Sequence, residues 1–107
     1  MRRDFTLVRG SRLGFTGVAR QPDGTVIDLT GATLAWKVGR LNRGSTDTTK
    51  TPAVTDATTG KYSASLAGSD TASLSPQWLR HELTVTTSGG EIWTVAEGYI
   101  DLRKDMP

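Results

Sequence analysis

Two stretches of the chain alternate strictly between apolar and polar side chains, and they constrain the fold more than any other feature. They are Thr33–Gly39 and Trp78–Thr87. A period of two places every second side chain on one face, which predicts extended strands that are buried on one side only. The residues assigned to the buried faces are Leu34, Trp36, Val38, Leu79, His81, Leu83 and Val85.

Turn-forming residues divide the rest of the chain into short runs. Gln21–Gly24 contains Pro-Asp-Gly and Ser88–Glu91 contains Gly-Gly, which are combinations that favour tight turns. We expect Gly98 to mark a bulge or kink, and Leu41–Ala53 to form a polar loop. The further predicted strands are Phe5–Val8, Leu13–Arg20, Thr25–Asp28, Ala53–Asp56, Lys61–Leu66, Ile92–Ala96 and Tyr99–Leu102.

One short helical turn is expected in an otherwise all-β chain. Its position is Gly68–Leu74, because Ser69 or Asp70 can cap a turn and Pro76 ends it. The 17 threonines and 12 glycines favour strands joined by tight turns over a helical bundle. Seven or eight short strands at regular spacing predict an antiparallel sandwich or barrel.

The length predicts a single domain over residues 1–107, with its core at about 5–102 and a charged tail at 103–107. Two sheets packed face to face bury the large apolar side chains of their inner faces. The expected core consists of Phe15, Leu34, Trp36, Tyr62, Leu79, Leu83, Val85 and Ile100.

Composition excludes several classes of protein. The chain has no cysteine, so a disulfide framework and a thiolate metal site are excluded. No apolar run approaches the roughly 18 residues of a membrane span, and no apolar stretch follows Arg2 and Arg3 as in a secretory signal. The net charge of +2 is scattered rather than concentrated, so we expect no membrane partner and no direct nucleic-acid partner.

The residues do not form a catalytic pattern, and we expect a protein that is not an enzyme. His81 is the only histidine, and it falls on the apolar face of the longest predicted strand, which indicates a hydrogen-bonded core residue. Most carboxylates lie in turns, where turn geometry accounts for them, among them Asp23, Asp28 and Asp56. The sequence predicts no catalytic residue, no metal site and no cofactor.

The candidate protein-interface residues are two tryptophans and two basic pairs. Trp78 and Trp93 fall opposite the assigned apolar positions, so we expect exposed rings at a protein interface or, as an alternative, a sugar-binding platform. Other basic pairs are Arg2 with Arg3 and Arg40 with Arg43. Such pairs serve either as solvated strand ends or as contacts to an acidic protein surface. The basic interface candidates are Arg9, Arg12, Arg103 and Lys104.

The order of these elements resembles the immunoglobulin-like N-terminal domain of upper baseplate proteins of tailed bacteriophages, and similar small domains of phage tail and neck proteins. The resemblance covers about Phe5–Lys104. Its elements, which are characteristic as an ordered set, are DLTGA before a strand, TDATTGKY as a turn leading into a strand, and PxxxRxEL at the start of the longest strand. The segments that carry it are Asp28–Val38, Val54–Tyr62, Leu66–Leu74, Pro76–Val85 and Ile92–Val95.

The resemblance implies an immunoglobulin-like antiparallel β-sandwich. It also implies a structural virion protein that is assembled in the bacterial cytoplasm and packs, in many copies, on other virion proteins of the tail, baseplate or neck. A capsid decoration or cement protein is the nearest alternative, and a carbohydrate-binding module for bacterial surface sugars is the alternative from another class.

Two structural expectations follow from the resemblance. In such sandwiches the first strand can run parallel to the last, which would bring Arg9 and Arg12 close to Arg103 and Lys104 in one basic patch. At the position of His81 the family commonly has a buried aromatic residue such as tyrosine. An imidazole at this position therefore needs a hydrogen-bond partner or a water molecule.

Overall fold

The computed structural model describes residues 2–40, 48–70 and 76–104. This part of the chain forms eight β-strands and one 3₁₀ turn. The strands are β1 (Phe5–Val8), β2 (Leu13–Val18), β3 (Thr33–Arg40), β4 (Thr48–Lys50), β5 (Ala53–Asp56), β6 (Lys61–Leu66), β7 (Gln77–Thr86) and β8 (Ile92–Arg103), and the 3₁₀ turn is Gly68–Asp70.

The strands form two sheets that pack face to face, which confirms the predicted all-β sandwich. One sheet has the order β1-β8-β7-β3-β4 and the other the order β2-β6-β5. With β2, β6 and β5 in one sheet and β3, β7 and β8 in the other, the topology is immunoglobulin-like. All strand pairs are antiparallel except β1 with β8, which is parallel, as expected from the resemblance.

The core lies between the sheets and contains every residue predicted for it. Trp36, Tyr62 and Ile100 are almost fully excluded from solvent, and the ring of Phe15 contacts Trp36 edge-on at a centroid distance of 5.1 Å. The alternation in β3, β6 and β7 points one side chain in two into this space. At about 1.5–3 kcal/mol for each large side chain, burial of this layer is the main force that holds the sheets together.

His81 lies inside the core with a relative exposure of 0%, and both ring nitrogens have partners. Trp36 donates its Nε1–H to Nδ1 over 3.1 Å, and Nε2 lies 2.5 Å from the backbone carbonyl of Arg3. Because Nδ1 accepts, the proton must sit on Nε2, which then donates to Arg3. The imidazole is thus a neutral, hydrogen-bonded core group, as the sequence predicted.

The last two predicted strands are one continuous strand, β8, with a bulge near its middle. The register against β7 shifts after Leu83, which pairs with Ala96, so that Thr84 pairs with Thr94. Val95 and Ala96 are consecutive and both buried. The prediction of a bulge at Gly98 is wrong in position, since the pairing passes through His81 and Gly98 without a shift.

The bulge also corrects the prediction for Trp93. An extra residue in a strand reverses the face of every side chain beyond it. Trp93 therefore lies opposite Val85 on the inner side, where it is half-buried and packs against the core, while its neighbour Ile92 is 71% exposed. The prediction that Trp93 lies on the face opposite the apolar positions is wrong.

Gly98 is required for a different reason, because the segment Arg2–Asp4 crosses directly over it. The backbone N–H of Arg3 donates to Glu97 over 2.7 Å, and the N–H of Tyr99 donates to the Asp4 carboxylate over 2.9 Å. A Cβ atom at position 98 would overlap the carbonyl of Arg3.

The region around the first predicted hairpin differs from the prediction. β2 ends at Val18, and Thr25–Asp28 is not a strand but forms a single bridge between Arg20 and Val26. The reason is that the chain after Val18 bonds to the turn Ala57–Gly60 instead of forming a regular hairpin. Ala19 donates to the carbonyl of Gly60 and accepts from Ile27, and Leu29 donates to Ala57.

Three further predictions are corrected in part. β4 lies inside the predicted polar loop Leu41–Ala53 and pairs with Trp36–Val38, while residues 41–47, including Arg43, lie outside the described residues. The 3₁₀ turn occupies the start of the predicted helical segment, of which residues 71–75 lie outside the described part. β8 continues through Arg103, so the predicted tail begins one residue later, and its residues 105–107 are also not described.

Candidate protein-interaction surface

The parallel pairing of β1 with β8 brings the two basic segments together at one end of the sandwich. Val8 is in register with Arg103, and the backbone N–H of Arg9 donates to the carbonyl of Arg103 over 2.9 Å. Lys104 follows directly and is exposed. The expected proximity of Arg9 to Arg103 and Lys104 is therefore confirmed at the level of the backbone.

Arg12 lies at the same end, in the short connection between β1 and β2. The connection closes as a turn in which Ser11 donates to the carbonyl of Val8 over 3.0 Å. Arg12 is exposed, and it is three residues from Arg9, so their Cα atoms are at most about 11 Å apart. Four basic residues, Arg9, Arg12, Arg103 and Lys104, thus share one end of the molecule.

Trp78 also lies at this end, on the outer face of the five-stranded sheet. It is the second residue of β7, is in register with Asp101 and is 54% exposed. Val8, on the other side of β8, is 41% exposed and belongs to the same face. Neighbouring strands are about 4.8 Å apart, so the two apolar side chains flank the final residues of β8.

We call this group the strand-end patch. It consists of Val8, Arg9, Arg12, Trp78, Asp101, Arg103 and Lys104. Its apolar part is Trp78 and Val8, and its charge is mainly positive. An exposed tryptophan beside arginines is a typical composition for the centre of a protein interface.

Electrostatic pairing inside the patch fixes the position of one arginine. Arg103 donates its Nε–H to the Asp101 carboxylate over 2.9 Å, and the arginine side chain is 64% exposed. An exposed pair of this kind contributes at most about 1 kcal/mol to stability. Its main effect is to hold the Arg103 guanidinium over the outer face near Trp78.

Trp93 does not belong to the patch. Trp93 is itself a residue of β8, whereas Trp78 of β7 lies opposite Asp101, eight residues further along β8. At about 3.3 Å per residue this separation is roughly 26 Å, and the rings also belong to opposite faces of the sheet. Five of the six predicted interface residues are therefore brought together, and Trp93 is not.

Sequence reasoning missed Val8 and Asp101 as members of the patch. The available signal for Val8 was its outward position in the alternating run Phe5–Val8. Asp101 gave no signal of its own, because its pairing with Arg103 and its place opposite Trp78 depend on the register of β7 against β8.

Three further observations concern His81, metal ligation and membrane-spanning helices. His81 is buried and bonded on both nitrogens, and burial lowers its pKa below the ordinary value more than Arg3, Asp4 and Glu97 raise it. Within residues 2–40, 48–70 and 76–104, no three His, Asp or Glu side chains are grouped closely enough to hold a metal ion. In the same ranges no helix is long and apolar enough to cross a membrane.

Comparison with known proteins does not identify the chain: its sequence matches no model of a protein family, and no curated protein resembles it at a significant level. The resemblance to phage baseplate domains therefore stays a prediction from the sequence segments given above.

Proposed function

We propose that the protein is a structural component of the virion of a tailed bacteriophage, which uses the strand-end patch to pack on another virion protein of the tail, baseplate or neck. The observation that carries the proposal is that Trp78 is exposed on the outer face at the same end of the sandwich as Arg9, Arg103 and Lys104. The immunoglobulin-like fold agrees with the family that the sequence segments resemble.

The physical basis is a preformed surface that needs little ordering on binding. The patch sits on the ends of three hydrogen-bonded strands, β1, β8 and β7, so little backbone entropy is lost when a partner docks. Trp78 supplies a large apolar contact, and the basic side chains favour a partner surface rich in carboxylates. In a symmetric assembly of many copies, a weak contact of this kind is repeated and becomes stable.

Labelled particles test the proposal. An epitope-tagged copy is expressed in cells infected by the phage that encodes the protein, and gold-labelled antibody is applied to purified particles. Gold at the tail, baseplate or neck supports the proposal. Gold spread over the capsid supports a decoration or cement protein instead, and particles without gold contradict any virion role.

Substitution of Trp78 by alanine tests the patch. We expect W78A to reduce incorporation into particles at least tenfold, because a central interface tryptophan commonly contributes 2 kcal/mol or more. The matched control is Ile92→Ala, which removes a 71% exposed side chain from the opposite end of β8 and should incorporate normally. Equal incorporation of the two variants would show that the patch is not the contact.

The arrangement of the tryptophans does not favour the carbohydrate-binding alternative. A flat sugar platform needs its rings on one surface, whereas Trp78 and Trp93 are far apart on opposite faces and Trp93 is half-buried. Binding of W78A and wild type to bacterial surface glycan measures this directly. If W78A loses glycan binding while its incorporation into particles stays normal, carbohydrate binding is favoured over the virion role.

A further inference from the structure

A cleft of about 890 Å³ opens between the two sheets, away from the strand-end patch. Its walls include Thr16–Val18 of β2 on one side and Thr94 and Val95 of β8 on the other. Sites for small ligands or inserted side chains are typically about 300–1,000 Å³, so the cleft is large enough for several residues of a bound segment.

The charge of the cleft is positive. Arg3, Arg20 and Lys61 line it, and no Asp or Glu is among its lining residues. Arg3 donates to the carbonyl of Thr16 over 3.2 Å and lies over the ring of Phe15, and Arg20 donates to the carbonyl of Gly24 over 2.9 Å. These contacts fix two guanidinium groups at the walls without neutralising their charge. In the strand register, Asp56 of β5 lies opposite Lys61 of β6.

A buried polar group at the cleft wall lacks a partner. Tyr62 lines the cleft, its side chain is 1% exposed, and its hydroxyl has no hydrogen-bond partner. The hydroxyl lies against the backbone of Gly17, at the place a Cβ atom would occupy. A buried hydroxyl without a partner is unfavourable by about 1–3 kcal/mol, so its presence beside fixed cations points to a missing acceptor.

The edge of β2 beside the cleft offers backbone hydrogen bonds. β2 is the outermost strand of its sheet, and the carbonyl of Thr16 points outward, because it accepts from the Arg3 side chain. In an antiparallel pair the backbone groups alternate in direction, so the N–H and C=O of Val18 point to the same outer edge. Exposed edges of this kind bind extended segments by adding a strand.

We propose that this cleft binds an extended segment of a partner protein, whose backbone pairs with the edge of β2 at Val18 and whose Asp or Glu carboxylate sits between Arg3, Arg20 and Lys61. Lys61 and Tyr62 are consecutive in β6 and point to opposite faces of the strand, so the acceptor that the Tyr62 hydroxyl lacks is a backbone carbonyl of the same segment, reached after a small movement of Gly17. The inference rests on the proposed function in taking the partner to be a protein. It concerns a second contact that is separate from the strand-end patch.

Titration with two blocked peptides tests the carboxylate. The probes are Thr-Val-Asp-Val-Thr and its Asn counterpart, and the measurement is the amide shift of the ¹⁵N-labelled protein. We expect the Asp peptide to shift Thr16–Val18, Tyr62 and Thr94, and to bind about tenfold more tightly than the Asn peptide, since charge-assisted hydrogen bonds are roughly twice as strong as neutral ones. Equal affinities, shifts elsewhere, or no binding would overturn the proposal.

Substitutions at the cleft add a matched comparison. Lys61→Ala should weaken binding of the Asp peptide about fivefold and leave binding of the Asn peptide unchanged, whereas Lys37→Ala, an exposed lysine on the other sheet, should change neither. An equal effect of the two lysine variants would overturn the assignment of the site.

Tyr62→Phe should change stability and peptide binding in opposite directions, which a purely structural tyrosine would not do. Because the free protein holds the hydroxyl without a partner, its removal should raise the Tm by several degrees while weakening the Asp peptide about fivefold. A variant that is less stable, or that binds as wild type does, would contradict the role of the hydroxyl. These measurements use the isolated protein, so their failure leaves the particle-labelling result, and the virion function, unaffected.

Discussion

Replacement of Gly98 by alanine should be among the most damaging small substitutions in this protein. A Cβ atom at this position would lie 2.7 Å from the Asp4 carboxylate and closer still to the carbonyl of Arg3. The obstructing atoms are mainly backbone, so they cannot move aside as a flexible side chain does. The segment Arg2–Asp4 must therefore lift away from β8.

The energetic effect can be worked out from the hydrogen bonds that this segment makes. Lifting it breaks the bonds from Arg3 to Glu97, from Tyr99 to the Asp4 carboxylate, and between His81 and the carbonyl of Arg3. The first two bonds contribute about 1 kcal/mol each, and the buried Nε2–H of His81 left without an acceptor costs about 1–3 kcal/mol. The free energy of unfolding should fall by about 3–5 kcal/mol, from a typical total of 5–15 kcal/mol.

Urea unfolding followed by tryptophan fluorescence measures this loss. The matched control is Gly14→Ala in β2, where the nearest atoms to a Cβ would be 3.7 and 4.0 Å away, in ordinary contact. The control should change the free energy of unfolding by less than about 1 kcal/mol, since alanine is tolerated in a strand. A loss below about 1 kcal/mol in G98A, or equal losses in the two variants, would refute the reasoning.

Three further predictions concern the buried network and an ion pair. Burial holds the pKa of His81 below its ordinary value of 6.5, so the unfolded chain binds a proton more readily than the folded one, and the free energy of unfolding should fall as the pH drops below about 6.5. Urea unfolding of wild type and H81F at pH 7.5 and pH 5 measures this, and the variant should lose less stability between the two pH values. Trp36→Phe removes the donor to Nδ1 and should reduce stability by about 2–4 kcal/mol. The carbonyl of Arg3 still accepts from Nε2–H, so the tautomer should be retained while the ¹⁵N shift of Nδ1 changes; an unchanged Nδ1 shift would contradict the hydrogen bond from Trp36. Lys50→Ala breaks the partly exposed ion pair between Lys50 and Asp70, which spans 2.9 Å, and should lower the free energy of unfolding by no more than about 1 kcal/mol in a thermal melt. A larger loss would mean that this pair stabilises the fold more than surface ion pairs usually do.

Most strands could be predicted from the sequence because they depend on local information. Alternation in Thr33–Gly39 and Trp78–Thr87 located β3 and β7 to within one residue at each end. Phe5–Val8 and Lys61–Leu66 were predicted with the observed bounds. These runs are bounded by glycine- and proline-containing turns, so neither their limits nor their buried faces required knowledge of the partner strand.

The errors occur where pairing between strands overrides the local pattern. The bulge at Val95 places Trp93 on the inner side, and no local signal marks it, because it results from the register of β8 against β7. β4 lies in a threonine-rich polar segment without apolar alternation. It is a strand because it pairs with Trp36–Val38 at the edge of the five-stranded sheet. Thr25–Asp28 has a strand-like sequence but bonds elsewhere.

The candidate site was predictable in its members but not in its arrangement. The exposure of Trp78 and the basic pairs could be read from the alternation and the charge pattern, and the proximity of Arg9 to Arg103 followed from a resemblance to a fold in which the first strand joins the last. Asp101 and the cleft around Tyr62 could not, because they combine residues from strands that are distant in sequence.

By itself, the sequence determined that the chain forms strands with one apolar face and packs them in two layers. Side-chain direction in a strand repeats every second residue, and burial of the resulting apolar face against a second sheet is favourable. Only the tertiary structure decided which side chains share a surface. The parallel pairing of β1 with β8 created the strand-end patch, and the open edge of β2 created the basic cleft. The reason is that register and sheet order are set by contacts across the whole domain, and each of them positions residues that the chain keeps far apart.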